Sequence, residues 1–145
     1  MKALLQRVSQ ASVSIEGAEV ARIADGLLVL VGIEPEDNQQ TAEKMLNKLL
    51  NYRVFADEQG RMNKSLSDTQ GGLLLVSQFT LAADTRSGLR PGFSTAAAPA
   101  QAEALFNQLV SMAQQRHHNV QTGQFAADMQ VQLINDGPVT FLLQV

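Results

Sequence analysis

Hydrophobic and polar positions alternate in two short segments near the start of the chain, which predicts strands with one buried face. The segments are residues 11–16 and 19–24, with Gly17-Ala18 as the turn between them. Asp25-Gly26 is a second turn signal, and the apolar run LLVLVGI follows it at 27–33. Because that run is continuous and rich in branched side chains, it predicts a central strand buried on both faces.

Two later segments change to a helical period. They cover residues 39–51 and 99–115, and Pro99 suits the first turn of the second helix. Between them the pattern predicts a short strand and turn region at 53–66, a strongly apolar strand at 72–79 and a long loop at 83–97. The buried stripe expected on the second helix consists of Ala100, Ala104, Leu105, Leu109 and Met112.

Strand patterns return at 129–134 and 139–145, and Asn135-Asp-Gly-Pro between them is by itself a turn signal. A strand-rich start, two separated helices and a strand-rich end predict the α+β class. We expect a mainly antiparallel curved sheet or barrel that carries two main helices. No linker, repeat or shift of composition divides the 145 residues, so the prediction is a single domain over 1–145.

Composition and charge restrict the possible functions. The chain has no cysteine, which excludes a disulfide framework, a thiolate nucleophile and a cysteine zinc site. The opening segment MKALLQRVSQ resembles neither a signal peptide nor a membrane span, so we expect a soluble cytosolic protein. A net charge of −3 argues against a protein that coats long nucleic acids, but not against one that grips only a nucleic-acid terminus.

The common catalytic motifs are absent: the sequence contains no phosphate-binding loop, dinucleotide loop, zinc-protease helix or serine nucleophile elbow. His117 and His118 lie together at the end of the second helix, where cations are favourable, so a structural role explains them. Glu34, Glu36 and Asp37 are most simply the solvated start of the first helix. The sequence therefore suggests no metal and no cofactor, and any catalysis must rely on little help from titratable side chains.

Two segments do not fit an ordinary core. In LVSQFTL at 75–81, Ser77, Gln78 and Thr80 interrupt an otherwise apolar strand. Because an unsatisfied buried polar group costs about 1–3 kcal/mol, these side chains must find partners within the protein or meet a ligand at the strand end. The pattern alone supports both possibilities equally. The second segment is NDGPVT at 135–140, whose simplest interpretation is a turn.

Taken together, SQFTL at 77–81 and NDGPVT at 135–140 resemble the two signature motifs of the D-aminoacyl-tRNA deacylase family. Two positions depart from the family pattern, Ala21 and Ala126, where glycine is usual. Ala126 borders the adenosine pocket that the resemblance implies. The resemblance covers almost the whole chain through QRVSQASV (6–13), GLLVLVGI (26–33), RMNKSL (61–66), GLRPGF (88–93) and TGQFAADM (122–129).

The resemblance implies a homodimer with active sites at the interface and, as substrate, the 3′ end of aminoacyl-tRNA. The expected reaction is hydrolysis of the ester of D-aminoacyl-tRNA and of mischarged glycyl-tRNA. Gly137-Pro138 is expected to be a cis element, inserted into the partner's site so that its carbonyl groups exclude an L side chain. Val139 and Thr140 belong to the same motif, and Arg7 is expected to hold the element in place.

By the same resemblance, Ser77, Gln78, Phe79 and Thr80 are the catalytic candidates. The backbone N–H groups of Phe79 and Thr80 are expected to stabilise the oxyanion, and the terminal 2′-hydroxyl is expected to assist attack by water. Thr80 is an alternative nucleophile, although no histidine or lysine is visibly placed to activate it. The adenine pocket is expected to contain Phe125 and Met129, because an aromatic ring and a thioether suit the face of a base.

Two other functions stay open at this point. One is a threonine- or serine-dependent esterase for small esters, and the other is a non-catalytic RNA-binding module, which the negative net charge makes less attractive. Between residues 60 and 91 the chain has a local surplus of two positive charges. This surplus is either a solvated loop surface or a contact for the acceptor stem, and it comes from Arg61, Lys64, Arg86 and Arg90 against Asp68 and Asp84.

Overall fold

A six-stranded, curved and nearly closed sheet forms the body of the protein in the computed structural model, which describes residues 1–145. Two long helices and two short ones connect its strands, and a two-stranded hairpin stands apart from it. In chain order the elements are β1 (Lys2–Ile15), β2 (Ala18–Ile23), β3 (Gly26–Gly32), α1 (Gln39–Asn51), β4 (Phe55–Ala56), β5 (Met62–Lys64), α2 (Leu66–Thr69), β6 (Gly72–Ser77), a 3-10 helix (Phe79–Ala82), α3 (Pro99–Arg116), β7 (Val120–Thr122) and β8 (Gln130–Gln144).

The long strand β1 organises the sheet. It pairs antiparallel with β3 and β2 along one edge and with β8 along the other. The order continues from β3 to β6 and β7, and these three strands run parallel. Antiparallel pairs outnumber parallel ones, and α1 and α3 are the two main helices. The expected α+β architecture is therefore confirmed.

Apolar side chains are buried on both faces of the sheet. The larger cluster lies under α1 and α3 and includes Leu27, Val29 and Val31 of β3. The smaller cluster lies on the opposite face and includes Leu28 of β3 and Ala21 of β2, where the family pattern usually has glycine. The prediction that β3 is buried on both faces is confirmed, because alternate residues of this strand enter different clusters.

The buried stripe predicted for α3 is partly wrong. Leu105 and Leu109 are buried, but Ala100 and Ala104 are exposed. Alanine is small enough for either side of a helix, so the sequence pattern could not choose which alanines face the core. The buried face of α3 consists of Ala102, Leu105, Phe106, Leu109, Val110 and Ala113, with Met112 half-buried.

None of the helices is both long and apolar enough to span a membrane.

Several strand boundaries also differ from the prediction. β1 begins at Lys2 rather than at residue 11, and its turn is centred on Glu16-Gly17, where φ is 50° and 79°, rather than on Gly17-Ala18. β6 ends at Ser77, so Phe79 begins the 3-10 helix instead of ending a strand. The elements α2 and β7 were not predicted, because four and three residues are too few to show a period.

The acidic residues before α1 are not all solvated. The amino group of Met1 donates hydrogen bonds to Glu34 Oε2 at 2.9 Å and to Asp37 Oδ1 at 2.6 Å. Asp37 Oδ2 also accepts from the backbone N–H of Glu34 at 2.7 Å. Only Glu36 is exposed as expected. The sequence could not show this because the partner, Met1, lies more than thirty residues earlier in the chain.

The segment Asn135-Asp-Gly-Pro does not form the turn that its composition indicated. β8 runs through it without a break, and the bond Gly137-Pro138 is cis. The partners on β1 change from Gln6↔Thr140 to Val8↔Asn135, so that residues 136–139 lie opposite Arg7 alone. The segment is therefore a special bulge, in which four residues of β8 oppose one of β1, while both halves of β8 stay paired with β1.

Candidate active site

A cavity of about 500 Å³ lies at the carboxyl end of β6. Its walls come from β3, the end of β6, the 3-10 helix, the first turn of α3 and the segment 125–131. The lining is mostly apolar, and Asp128 is its only ionisable residue. The lining residues are Val31, Ile33, Val76, Ser77, Gln78, Phe79, Ala97, Pro99, Ala102, Phe125, Ala126, Ala127, Asp128, Met129 and Val131.

Three of the four predicted catalytic residues form one wall of this cavity. Ser77 is the last residue of β6, and the backbone N–H of Gln78 donates to Val31 O at 2.7 Å, which fixes the chain beside β3. Phe79 follows at the start of the 3-10 helix. The fourth, Thr80, is exposed and does not line the cavity, and its hydroxyl accepts a hydrogen bond from Gln78 Nε2 at 2.6 Å.

The 3-10 helix fits against β3 because of Gly32. A β carbon on Gly32 would lie 2.9 Å from Leu81 Cβ and 3.1 Å from Gln78 O, both closer than side chains normally pack. The first N–H groups of a helix have no acceptor within it, and those of Phe79 and Thr80 occupy this position. The sequence pattern placed Gly32 in a strand and did not indicate this close approach.

Phe125 and Met129 line the same cavity. The ring of Phe125 is anchored by Phe106 of α3, with centroids 6.3 Å apart. Met129 is accommodated by Gly123, where a β carbon would meet the sulfur at 2.6 Å. Ala126, which departs from the family pattern, adopts φ of +61° and also lines the cavity. The predicted catalytic residues Ser77, Gln78 and Phe79 and the predicted adenine-binding residues Phe125 and Met129 therefore line one cavity.

The other predicted group lies elsewhere on the protomer. Gly137, Pro138 and Thr140 are exposed, Val139 is buried, and none of the four lines the cavity. At Gly137 φ is +149°, and a β carbon there would lie 2.7 Å from the side chain of Val139. These constraints make glycine the residue that fits this position.

Two side chains hold the bulge. Arg7 Nε donates to Asp136 O at 2.8 Å, and Arg7 Nη1 donates to Val54 O at 2.6 Å. Asn135 closes the bulge from within, because its Oδ1 accepts from the backbone N–H of Val139 at 2.7 Å and its Nδ2 donates to Thr140 Oγ1 at 2.8 Å. Sequence reasoning did not single out Asn135, although it begins the NDGPVT segment.

The remaining titratable candidates do not enter the cavity. His117 is buried, and its Nε2 lies 2.6 Å from Gly71 O, so its structural role is confirmed. Nowhere in the structure do three or more histidine, aspartate or glutamate side chains form a possible metal site.

The sequence model of the family described as D-Tyr-tRNA(Tyr) deacylase matches residues 4–144. The chain belongs to this family. Membership in the deacylase family confirms the expected enzyme class, a hydrolase that acts on aminoacyl-tRNA. It also favours an enzyme over the non-catalytic RNA-binding module.

Relatives support the deacylase assignment over the full length of the chain. The D-aminoacyl-tRNA deacylase of Ectopseudomonas mendocina is 66% identical and covers 100% of both chains. That of Pseudomonas aeruginosa strain LESB58 is 67% identical over 99% of each. The solved structure titled c-Myc DNA Unwinding Element Binding Protein has a TM-score of 0.96 at 42% identity, covering 100% of this chain and 99% of that one. A probable eukaryotic D-amino acid tRNA deacylase has a TM-score of 0.86 at 15% identity over 99% and 98% of the two chains, which supports the fold alone.

Proposed function

We propose that the protein hydrolyses the ester bond of D-aminoacyl-tRNA and of mischarged glycyl-tRNA, and spares L-aminoacyl-tRNA. The observation that carries this proposal is the cavity that Ser77, Gln78, Phe79, Phe125 and Met129 line together. Its volume of about 500 Å³ suits a ligand the size of an aminoacylated adenosine, since small-molecule sites range over about 300–1,000 Å³.

In this proposal the terminal adenine packs against Phe125 and Met129. An aromatic ring and a polarisable thioether both pack well against the face of a base. Phe106 behind Phe125 and Gly123 behind Met129 fix the two side chains. With the adenine held there, the ribose and the ester extend toward Ser77 and Gln78.

Catalysis then depends on positioning and on backbone donors. The N–H groups of Phe79 and Thr80 begin the 3-10 helix and are suited to stabilise the oxyanion that forms on the ester carbonyl. Ser77 and Gln78 orient the ester, and water attacks with assistance from the terminal 2′-hydroxyl. This mechanism needs no acid–base pair in the protein.

The environment of Thr80 argues against the threonine-dependent esterase. Its hydroxyl accepts from the Gln78 amide, and no hydrogen bond joins it to a histidine or lysine that could remove its proton. Thr80 therefore acts as a positioning group. Thr80→Ala should lower kcat without abolishing turnover, whereas a nucleophilic threonine would lose all activity.

Selection against L substrates requires a second subunit in this proposal. Gly137-Pro138 is exposed outside its own cavity and is held by Arg7 and Asn135, so it is suited to enter the cavity of a partner. Strand β8, which carries it, pairs with β1 along one edge only and exposes Ile134 and Leu142. Fixed carbonyl groups near the substrate α-carbon would collide with an L side chain, whereas a D side chain points away.

Glycine has no side chain to collide with the element, so glycyl-tRNA is also accepted. The element distinguishes D from L configuration and does not read the identity of the side chain. An editing enzyme needs this property because it must accept many different D-amino acids. Because the proposed substrate is aminoacyl-tRNA, we also propose a cytoplasmic location.

The decisive experiment compares hydrolysis of D-Tyr-tRNA, L-Tyr-tRNA and Gly-tRNA by the purified protein. The expected result is rapid loss of the D and glycyl esters with the L ester spared. Equal cleavage of the D and L esters would show that the chain is not a chiral editing enzyme. Sedimentation velocity on the same samples tests the homodimer, and a monomer with full D selectivity would contradict the role of a second subunit.

A further inference from the structure

The loop between the 3-10 helix and α3, residues 83–97, carries exposed apolar side chains that the proposed mechanism does not use. Phe93 is 43% exposed, and its ring packs against that of Phe79, which is 56% exposed, with centroids 5.0 Å apart. Leu89 in the same loop is fully exposed. Large apolar groups that face solvent together mark an interaction surface rather than a core.

This surface is built on an ordered loop. Asp84 and Gly92 exchange two backbone hydrogen bonds of 2.7 and 3.0 Å, which close the segment between them. Thr95 Oγ1 donates to Ala82 O at 2.6 Å and ties the second half of the loop to the end of the 3-10 helix. Phe93 is therefore presented next to Phe79 without a need for rearrangement.

The two arginines of the loop differ in their electrostatic state. Arg86 Nε and Nη2 bind the carboxylate of Asp84 at 2.9 and 2.7 Å, and these bonds hold the pKa of Asp84 well below its ordinary value. Arg90 has no ion pair and no side-chain hydrogen bond, although it lies three residues from Phe93. The loop thus offers Phe93, paired with Phe79 of the 3-10 helix, and one uncompensated cation.

An exposed aromatic ring and a free guanidinium on one loop are the groups that bind single-stranded nucleic acid, in which the ring stacks on a base and the cation binds a phosphate. Phe79 also lines the cavity, so this surface is continuous with the space assigned to the terminal adenosine. We infer that loop 83–97 binds the nucleotides that precede the terminal adenosine, with Phe93 stacked on the penultimate base and Arg90 at its phosphate. This inference rests on the proposed function.

The test uses two substrates that differ only beyond the terminal nucleoside, D-Tyr-tRNA and D-tyrosyl-adenosine. Phe93→Ala should lower kcat/KM for D-Tyr-tRNA by on the order of tenfold, which is the size of one base–aromatic stacking contact. Arg90→Ala should also lower it, because a phosphate contact is lost. Both variants should leave kcat/KM for D-tyrosyl-adenosine within about twofold, because that substrate lacks the contacted groups. Phe93→Leu, which keeps an apolar contact with Phe79, should behave like Phe93→Ala.

Salt dependence provides a second readout. For the unaltered protein, log(kcat/KM) should fall linearly as log[salt] rises. In Arg90→Ala one phosphate contact is lost, so this slope should become less steep by about 1, and Arg90→Lys should show the original slope. Lys44→Ala is the matched control, because Lys44 is also exposed without an ion pair but lies on α1, away from the cavity and the loop. It should leave both rates and the slope unchanged.

Three outcomes would overturn the inference. An equal loss on both substrates would mean that Phe93 and Arg90 act through the cavity, and no loss on either would mean that the loop touches no nucleotide. An equal effect of Lys44→Ala would mean that the loss reflects only the lower positive charge of the protein and not a contact of Arg90. If the unaltered protein cleaves neither substrate, the proposed function fails and the inference fails with it, whereas an active protein with insensitive variants contradicts the inference alone.

Discussion

Arg7 ties together three distant parts of the chain. It lies on β1, binds the carbonyl oxygen of Asp136 on β8 and binds that of Val54 after α1. Its side chain is only 16% exposed, so solvent weakly competes for these bonds. A planar guanidinium can donate in two directions at once, which a lysine ammonium on a flexible stem does less well.

Arg7→Lys should therefore loosen the bulge that carries Gly137-Pro138. We expect a loss of about 1–2 kcal/mol in the free energy of unfolding, since hydrogen bonds to charged groups contribute about 1.5–3 kcal/mol and one is retained. The ratio of D-Tyr-tRNA to L-Tyr-tRNA hydrolysis should also fall. Urea denaturation and the two rates measure these effects. Arg22→Lys, in an exposed pair with Glu19, is the control and should change neither.

Ala126 holds a backbone conformation that favours glycine. Its φ of +61° lies in the left-handed region, where a β carbon costs roughly 1–2 kcal/mol. The family pattern usually has glycine here, so this chain retains the conformation without the residue that best suits it. The neighbouring contacts of Phe125 and Met129 with the rest of the protein keep the segment in place.

Ala126→Gly should leave the protein as stable as before or up to about 1 kcal/mol more stable, because relief of the left-handed strain offsets the greater entropy of the unfolded chain. Ala127→Gly relieves no such strain and should cost about 0.4–1 kcal/mol. Thermal unfolding of the two variants gives the comparison. If both lose stability equally, the left-handed alanine carries no strain.

At the scale of elements, the contact between β3 and the 3-10 helix determines where the proposed oxyanion donors lie. Gly32 permits this contact, since any β carbon there would press on Leu81 and on the carbonyl of Gln78. The helix in turn sets the direction of the Phe79 and Thr80 amides. A shift of the helix would move these N–H groups while leaving Phe125 and Met129 unchanged.

Gly32→Ala should therefore reduce kcat more than it raises KM. We expect a loss of stability of about 1–3 kcal/mol from crowding and a fall in kcat that approaches a hundredfold if the donors move by about 1 Å. Gly92→Ala is the control, because its β carbon would meet nothing closer than 3.8 Å. Steady-state kinetics with D-tyrosyl-adenosine provide the measurement, and an unchanged kcat would contradict the role of the 3-10 helix.

At the scale of the whole molecule, the fold shifts the pKa values of acidic side chains in one direction only. Every carboxyl group whose pKa departs from its ordinary value has it lowered, by hydrogen bonds from arginine, lysine, backbone N–H groups or the amino terminus. A folded-state pKa below the unfolded one adds stability that is present above the unfolded pKa, near 4, and is lost as pH falls. The bases with raised pKa lose their contribution only at alkaline pH, above their ordinary values.

The melting temperature should therefore be level between about pH 6 and 9 and should fall steeply below about pH 4. Asp84→Asn should reduce the acid-dependent part of this fall, because the pKa of Asp84 is the most strongly lowered. Calorimetry across this pH range gives the profile. An acid limb of identical slope in Asp84→Asn would show that the Asp84–Arg86 pair does not contribute.

Several features of the site were available from the sequence because they are local. Ser77, Gln78 and Phe79 are consecutive, and their resemblance to a known motif indicated one wall of the cavity. The resemblance of TGQFAADM indicated Phe125 and Met129. Asn135, Gly32 and Gly123 were missed, since the contact that requires each of them involves residues that no local pattern identifies.

The sequence by itself determined the α+β class, the two long helices and the main strands, because alternation and helical spacing record which side of an element is apolar. Tertiary structure decided which alanines of α3 face the core, that β6 gives way to a 3-10 helix at Phe79, and that Asn135–Pro138 is a bulge rather than a turn. Each of these outcomes depends on a neighbour distant along the chain: the sheet beneath α3, Gly32 beside the 3-10 helix, and β1 with Arg7 beside the bulge. A sequence pattern records the preference of a segment, whereas packing between segments selects among the conformations that the preference allows.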